Sequence, residues 1–395
     1  MRFQIIALLC IFHFSLYAQQ PRVFLMNSER LVDIKKKYHT GDEQVRSLVN
    51  EVVGKANTAL SMKPLSVMDK VFTPVSGDKH DYMSQAPYFW YDSSKSNGLP
   101  YIRRDGEHNP EIKKITDHDY LSTLDNSVRL LSLAWYFTGE EKYALKARAL
   151  FHHWFINQDT RMHPNLQYAQ GIPGITSGRG IGLIETRSLI GIADAAGLLA
   201  SSSSWTNADN DHLKEWYKEF LNWMLTSKNG KEEHAAKNNH GTWYYAQAID
   251  FALFTGQEKK ALDLINESKN RLDSQLTKEG KWPLELERTN GLGYSTMNTQ
   301  GWFTVARLAE HVGVDLWHFT TSKSAGIKTA LDWLLPYTSN DKKWEYQQIG
   351  KYNYNEYYTL LLQANNKYHD SVYLQKIMNN KPPVVDPMVE LMYHF

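Results

Sequence analysis

The chain has 395 residues, with 44 Lys and Arg against 43 Asp and Glu, and 42% of its residues are hydrophobic. These proportions exclude a disordered, fibrous or collagen-like chain, and a net charge of +1 excludes the basic excess of a dedicated nucleic-acid binder. At ~150 residues per domain the length fits two or three domains, a prior that one large domain can exceed.

The chain opens on a targeting pattern. Arg2 precedes a mostly apolar run from Ile5 to Phe14, followed by Ser15-Leu16-Tyr17-Ala18-Gln19. A charged start, a short apolar core and a small residue predict a signal peptide over residues 1–18, cut after Ala18. The expected location is therefore periplasmic or secreted. The run is too short to span a bilayer, and no later segment approaches the ~20 apolar residues a span needs. Cys10, the only cysteine, falls inside the run, so the remainder has no disulfide or thiol chemistry. Apolar residues continue past Cys10, which argues against a lipoprotein signal.

From there the periodicity is helical nearly throughout. Leu124, Val128, Leu131 and Trp135 share one helix face, and Phe137-Thr138-Gly139 stops that helix. Tyr143, Ala147, Leu150, Phe151 and Trp154 form the next face. Further helices are predicted over 181–202, 207–227, 241–255, 258–279, 296–312, 323–338, 352–364 and 369–379. Phe137-Thr138-Gly139-Glu140-Glu141-Lys142 is repeated as Phe254-Thr255-Gly256-Gln257-Glu258-Lys259. In both copies a helix ends at glycine and another starts at once, which is an αα-hairpin used twice. Many such hairpins can close into a ring of inner and outer helices; an unrelated all-α fold with two similar turns also fits.

Three stretches break the pattern with glycine and proline, at 71–110, 159–180 and 281–294. Loops this long are functional or disordered, and their Trp, Tyr, His and Arg content favours function. Two clusters carry candidate chemistry. Asn238-Asn239-His240-Gly241-Thr242-Trp243-Tyr244 stands at a helix start, where Asn238 reads as a cap. Asn239 and His240 together place an amide beside an imidazole, a pair able to hold and deprotonate an acidic sugar. In Glu285-Leu286-Glu287-Arg288, Arg288 is a permanent cation whose fork fits a carboxylate. Tyr294 follows across a glycine-flexible turn, and a nearby cation lowers a phenol's pKa. A surface arginine and a packed tyrosine fit the same residues.

The order of these motifs resembles the polysaccharide lyases of the alginate lyase superfamily. The matching stretches are Gly77-Asp78-Lys79-His80-Asp81-Tyr82 with Ala86-Pro87-Tyr88-Phe89-Trp90, then Asp125-Asn126-Ser127-Val128-Arg129. They continue with Pro164-Asn165-Leu166-Gln167-Tyr168-Ala169-Gln170, Gly178-Arg179-Gly180, the Asn238–Tyr244 cluster and Glu287-Arg288-Thr289 with Tyr294. The resemblance implies one α/α toroid over residues 19–395, an incomplete barrel of antiparallel helical hairpins. It implies β-elimination on an anionic uronate polysaccharide, alginate by name, without a cofactor. The family's catalytic Asn, His, Arg and Tyr fall on Asn239, His240, Arg288 and Tyr294.

That chemistry removes the proton at C5, beside the C6 carboxylate, and expels the C4 oxygen. Asn239 and Arg288, with help from His240, would neutralise the carboxylate and stabilise the intermediate. Tyr294 would serve as acid and base where proton and leaving group lie on one side. His240 would be the base and Tyr294 the acid where they lie on opposite sides. Lys79, His80, Tyr82, Arg103, Arg104, Gln170 and Arg179 are the loop residues expected along an anionic chain, and the 77–90 loop is expected to close as a lid. Metal chemistry finds no support: no HExxH or cysteine pair occurs, and His152 and His153 point about 100° apart on a helix. No dinucleotide fingerprint or P-loop is present. A lyase for another uronate such as glucuronan and a non-catalytic glycan binder are the competing readings. A glycoside hydrolase would need opposed carboxylates, and Glu285 and Glu287 are a poor pair for it.

Overall fold

The computed structural model describes residues 20–339 and 341–393; the predicted signal peptide, with Cys10 and the cut at Ala18, lies outside them. Helices α1 (Ser28–Thr40) and α2 (Glu43–Leu60) start where Asn27 and Asp42 accept the backbone N–H of Arg30 and Val45. Then come α3 (Asp117–Thr138), α4 (Glu141–Phe151), α5 (Leu189–Leu199), α6 (Asn207–Thr226) and α7 (Lys228–Ala235). Next are α8 (Asn239–Phe254), α9 (Glu258–Gln275), the short α10 (Pro283–Leu286) and α11 (Gly291–Ala309). The last are α12 (Ile327–Thr338), α13 (Tyr354–Tyr368), α14 (Ser371–Asn379) and α15 (Pro387–Tyr393).

Their packing makes a ring. α2 touches α3, α3 touches α5, α5 touches α8, α8 touches α11, α11 touches α13, α13 touches α15, and α15 returns to α2. α5 and α8 are buried almost all round, whereas α2, α6 and α9 bury one stripe each. This inner-and-outer arrangement is the predicted all-α toroid. The repeated hairpin is real in detail. Thr138 and Thr255 each donate their hydroxyl to the carbonyl four residues back, at 2.7 Å, and Gly139 and Gly256 take φ of 74° and 75°. That left-handed conformation is open to glycine at low cost, so the chain reverses at once into α4 or α9.

Several boundaries differ from expectation. The predicted 181–202 helix is a 3₁₀ stretch, Gly180–Thr186, followed by α5. α11 starts at Gly291 instead of 296, because the Gln348 side-chain oxygen accepts the N–H groups of Leu292 and Gly293 at 3.1 and 3.4 Å. A cap from that far along the chain outweighs two glycines. α1, α2, α7, α10 and α15 lie outside the individually predicted spans; α7 restarts after α6 because Ser227 Oγ accepts the N–H of Gly230.

The three irregular stretches meet at one end of the ring. β1 (Met83–Gln85), β2 (Phe89–Trp90), β3 (Ile102–Arg103) and β4 (Tyr168–Gly171) are short. β1 pairs in parallel with β4, joining the first stretch to the second, and β2 pairs antiparallel with β3. Asp105 joins the first stretch to the third, accepting from the N–H and hydroxyl of Thr289. A fully buried ion pair, Lys70 with Asp117 at 3.0 Å, anchors the base of the first stretch. The segment expected as a lid is thus pinned along much of its length.

Candidate active site

The converging stretches line a cavity of about 1260 Å³. A second cavity of about 640 Å³ adjoins it, sharing Tyr88, Arg187, Trp243 and Tyr294. Asn239, His240, Arg288, Tyr294, Gln170 and Arg179 all line the first.

Asn239 opens α8 and is completely buried. Its backbone N–H and Nδ2 donate to the two oxygens of Glu285, at 2.6 and 2.7 Å. Burial raises the Glu285 carboxyl to about 6, although the bonds from Asn239 favour its charged form. The amide is thereby fixed. Its Oδ1 is buried with no partner.

His240 follows. Its Nδ1 lies 2.9 Å from Oε1 of Glu233, a wholly buried residue of α7. An Nδ1–H donated to that carboxylate leaves Nε2 as the acceptor. The same carboxylate fixes the ring's orientation.

Arg288 commits Nε and Nη2 to the carboxylate of Asp105, with contacts of 3.1 and 2.8 Å. Nη2 also donates to the Tyr294 hydroxyl at 2.9 Å, and the guanidinium lies 3.9 Å from the centre of the Tyr294 ring. Burial alone would raise Asp105, but hydrogen bonds from Arg288 and Thr289 outweigh it and bring the carboxyl down to about 2. Asp105 therefore neutralises part of the charge expected to face the ligand.

Tyr294 sits in the first turn of α11, not in a flexible turn. Its hydroxyl is 2.6 Å from that of Tyr88. The expected lowering of its pKa does not occur. Burial and the neighbouring Tyr88 raise it, and the Arg288 cation offsets only part of this. The phenol keeps its proton at neutral pH, with Arg288 placed to stabilise the phenolate left after donation.

Gln170 holds a left-handed backbone, φ 50°, rare for a residue other than glycine. Its N–H donates to Ser84 Oγ and its side-chain oxygen accepts from Arg179 Nη2, both at 2.7 Å. Arg179 also lies over the Phe89 ring. Arg103 lines the cavity and pairs with Asp105 at 2.7 Å.

Lys79, His80 and Tyr82 are not among the residues lining either cavity. Lys79 donates to the Lys70 carbonyl, and His80 Nδ1 lies 2.6 Å from the Arg161 carbonyl. Tyr82 is wholly buried and donates to Glu185 at 2.8 Å. Arg104 lies over Trp90 and faces Glu107. These side chains hold the loop in place. Sequence reasoning gave no role to Asp105, Glu233 or Tyr88. Tyr88 at least fell within a quoted motif; Glu233 lies seven residues before His240 on a helix that was not foreseen, and nothing marked Asp105.

A ring of helices whose mouth gathers amide, imidazole, guanidinium and phenol groups around a long cavity is built to act on a carbohydrate polymer. The chain belongs to the alginate lyase family, whose model matches residues 66–344, and it is a polysaccharide lyase. It is similar to an alginate lyase from Bacteroides ovatus, at 37% identity and a TM-score of 0.90, over 94% of this chain and 99% of that one. The fold is shared at 13% identity with alginate lyase A1-III from Sphingomonas species A1, with a TM-score of 0.58 over 92% of this chain and 94% of that one. A variant of A1-III complexed with a tetrasaccharide aligns with a TM-score of 0.57 at 14% identity, over 87% of this chain and 93% of that one. No curated protein matches by sequence.

Proposed function

We propose that the protein cleaves the 1,4-glycosidic bonds of alginate by β-elimination, leaving 4,5-unsaturated uronate ends. One observation carries this reading: groups suited to neutralise a carboxylate, accept a proton and donate one line the same cavity. Asn239, fixed by Glu285, and Arg288, fixed by Asp105, would stabilise charge developing on the C6 carboxylate. His240, with Nε2 basic under the hold of Glu233, takes the C5 proton. Tyr294, whose raised pKa keeps it protonated, gives its proton to the C4 oxygen. The division of labour with His240 as base and Tyr294 as acid fits substrates whose proton and leaving group are on opposite sides. For the same-side geometry Tyr294 would have to be deprotonated first, which its burial disfavours.

The test is to incubate the mature protein with alginate, polymannuronate, polyguluronate and glucuronan and to follow absorbance of the conjugated product. Alginate should give the fastest growth. Faster growth on glucuronan would reassign the substrate, and tight binding with no absorbance on any polymer would identify a glycan binder instead. We further propose that residues 1–18 direct export and are removed. Mass spectrometry of the exported protein should find Gln19 at its start, and a soluble cytoplasmic pool retaining Met1 would refute this.

A further inference from the structure

Five arginines line the two cavities: Arg103, Arg129, Arg179, Arg187 and Arg288. Four are already engaged. Arg103 and Arg288 pair with Asp105, Arg129 with Asp125 at 3.7 Å, and Arg179 donates to Gln170. Arg187 differs. No carboxylate of the described residues comes within ion-pairing distance of it, and its only contact of note is with the Trp243 ring, 5.7 Å away. It is exposed to solvent, yet protein surrounds it closely enough for desolvation to lower its pKa, with Glu356 and Glu185 opposing from farther off. It lines both cavities.

An arginine keeps its charge in such a place. This one carries no ion pair among the described residues and sits where the two cavities join, on a wall shared with Tyr294. The second cavity beyond it is lined by the amides Gln300, Gln348, Asn353 and Gln363, together with Tyr352 and Glu356. Amides and a phenol suit sugar hydroxyls; Lys351 also lines that cavity, whereas Arg187 is the guanidinium that lines both cavities.

Resting on the reading of the site as a uronate site, we propose that Arg187 binds the carboxylate of a second sugar, adjacent to the one undergoing elimination. The polymer then runs through the junction from one cavity into the other. Arg187 in this role selects chains that carry a charge on consecutive residues. The guanidinium offers a planar fork to the carboxylate.

The test measures binding and turnover separately. A tetrauronate is titrated by calorimetry into the inactive Tyr294→Phe protein, with and without Arg187→Gln. The same is done with a tetrasaccharide whose carboxyls have been reduced to alcohols. Loss of a charge-assisted pair should raise Kd for the tetrauronate at least ~10-fold and leave the weaker binding of the reduced sugar nearly unchanged. Arg187→Lys should recover part of the loss. In the otherwise native enzyme, Arg187→Gln should raise KM more than it lowers kcat. A merely structural arginine would lower the melting temperature and weaken both sugars alike. An equal Kd ratio for the two sugars before and after Arg187→Gln overturns the proposal. Should Arg187→Gln not fold, the comparison of Arg187→Lys with the parent on the two sugars decides in the same way. A parent that cleaves uronates normally while Arg187→Gln matches it removes only Arg187 from the account. A parent that neither binds nor cleaves any uronate removes the function itself.

Discussion

At the scale of residues, the site rests on carboxylates that each fix one functional group. Glu285 holds the amide of Asn239, Glu233 the imidazole of His240, and Asp105 the guanidinium of Arg288. None of the three carboxylates is a partner that the sequence announces. Tyr294→Phe keeps the ring and removes the acid, so kcat should fall at least ~10²-fold while substrate affinity changes little. Steady-state rates on each polymer check this, and near-native rates would mean that another group is the acid. Glu233→Gln keeps the shape but removes the charge that sets the His240 tautomer. Turnover should fall at least ~10-fold with little change in KM. Unaltered turnover beside a lowered melting temperature would reduce Glu233 to a packing role.

At the scale of elements, three of the four proposed catalytic groups, Asn239, His240 and Tyr294, are placed by helix starts. α8 begins at Asn239, and its third residue is Gly241. A Cβ there would lie 2.1 Å from the carbonyl oxygen of Ala236, a backbone atom that cannot turn aside. Gly241→Ala must therefore shift the first turn of α8 and carry Asn239 and His240 with it. Stability should fall by about 1–3 kcal/mol, and kcat by ~10²-fold or more, since misplacement by about an ångström is enough. Urea melts alongside rates distinguish the two; a variant that melts lower yet keeps its rate would show the turn to be adaptable. The start of α11 teaches a related lesson. Its two glycines look like a break, but Gln348 caps the helix and so puts Tyr294 on a rigid turn beneath Arg288.

For the whole molecule, buried carboxyls set the pH range of stability. Burial raises Asp117, Asp194 and Glu285 to about 6, even though Lys70, the N–H groups of Phe24, Leu25 and Met26, and Asn239 respectively oppose the shift. Between ~4 and about 6 the folded protein holds more protons on these groups than the unfolded chain does, so stability falls as pH rises through that window. Asp105 and Glu141 go the other way. Burial would raise them, but hydrogen bonds from Arg288 and Thr289, and from Ser204, Ser202 and Trp135, bring both down to about 2. Their contribution is complete above ~4 and is lost as pH falls toward about 2. The melting temperature should be highest near pH ~4 and decline toward pH ~6, and Asp105→Asn should flatten the acid side. A peak above pH ~7 would contradict the balance. Asp194 also joins the beginning of the described chain to α5, accepting three backbone N–H groups across 168–170 residues. Asp194→Ala strands those donors and should cost about 1–3 kcal/mol.

What the sequence alone determined is what is local. Helical periodicity, the repeated Phe-Thr-Gly turn and the long glycine- and proline-rich stretches depend on neighbours a few residues away, and they were legible as a mostly helical chain of hairpins broken by three long loops; the closed toroid was an implication of the family resemblance. The Asn239-His240 pair was legible as a candidate for chemistry, while Arg288 and Tyr294 became catalytic candidates only through the family resemblance. Tertiary structure decided the rest, because it depends on which distant residue arrives beside each group. Asp105 reaches Arg288 over 183 positions and Glu285 reaches Asn239 over 46. Burial, not the nearby cation, sets the direction of the Tyr294 pKa, and burial belongs to the folded chain. The same holds for the loop: Lys79, His80 and Tyr82 share a motif and a charge pattern with a sugar-binding segment, yet the β1–β4 pairing and Glu185 turn them to protein partners. Arg187 shows the converse, an unremarkable arginine in the sequence that the ring leaves without an ion-pair partner among the described residues where two cavities meet.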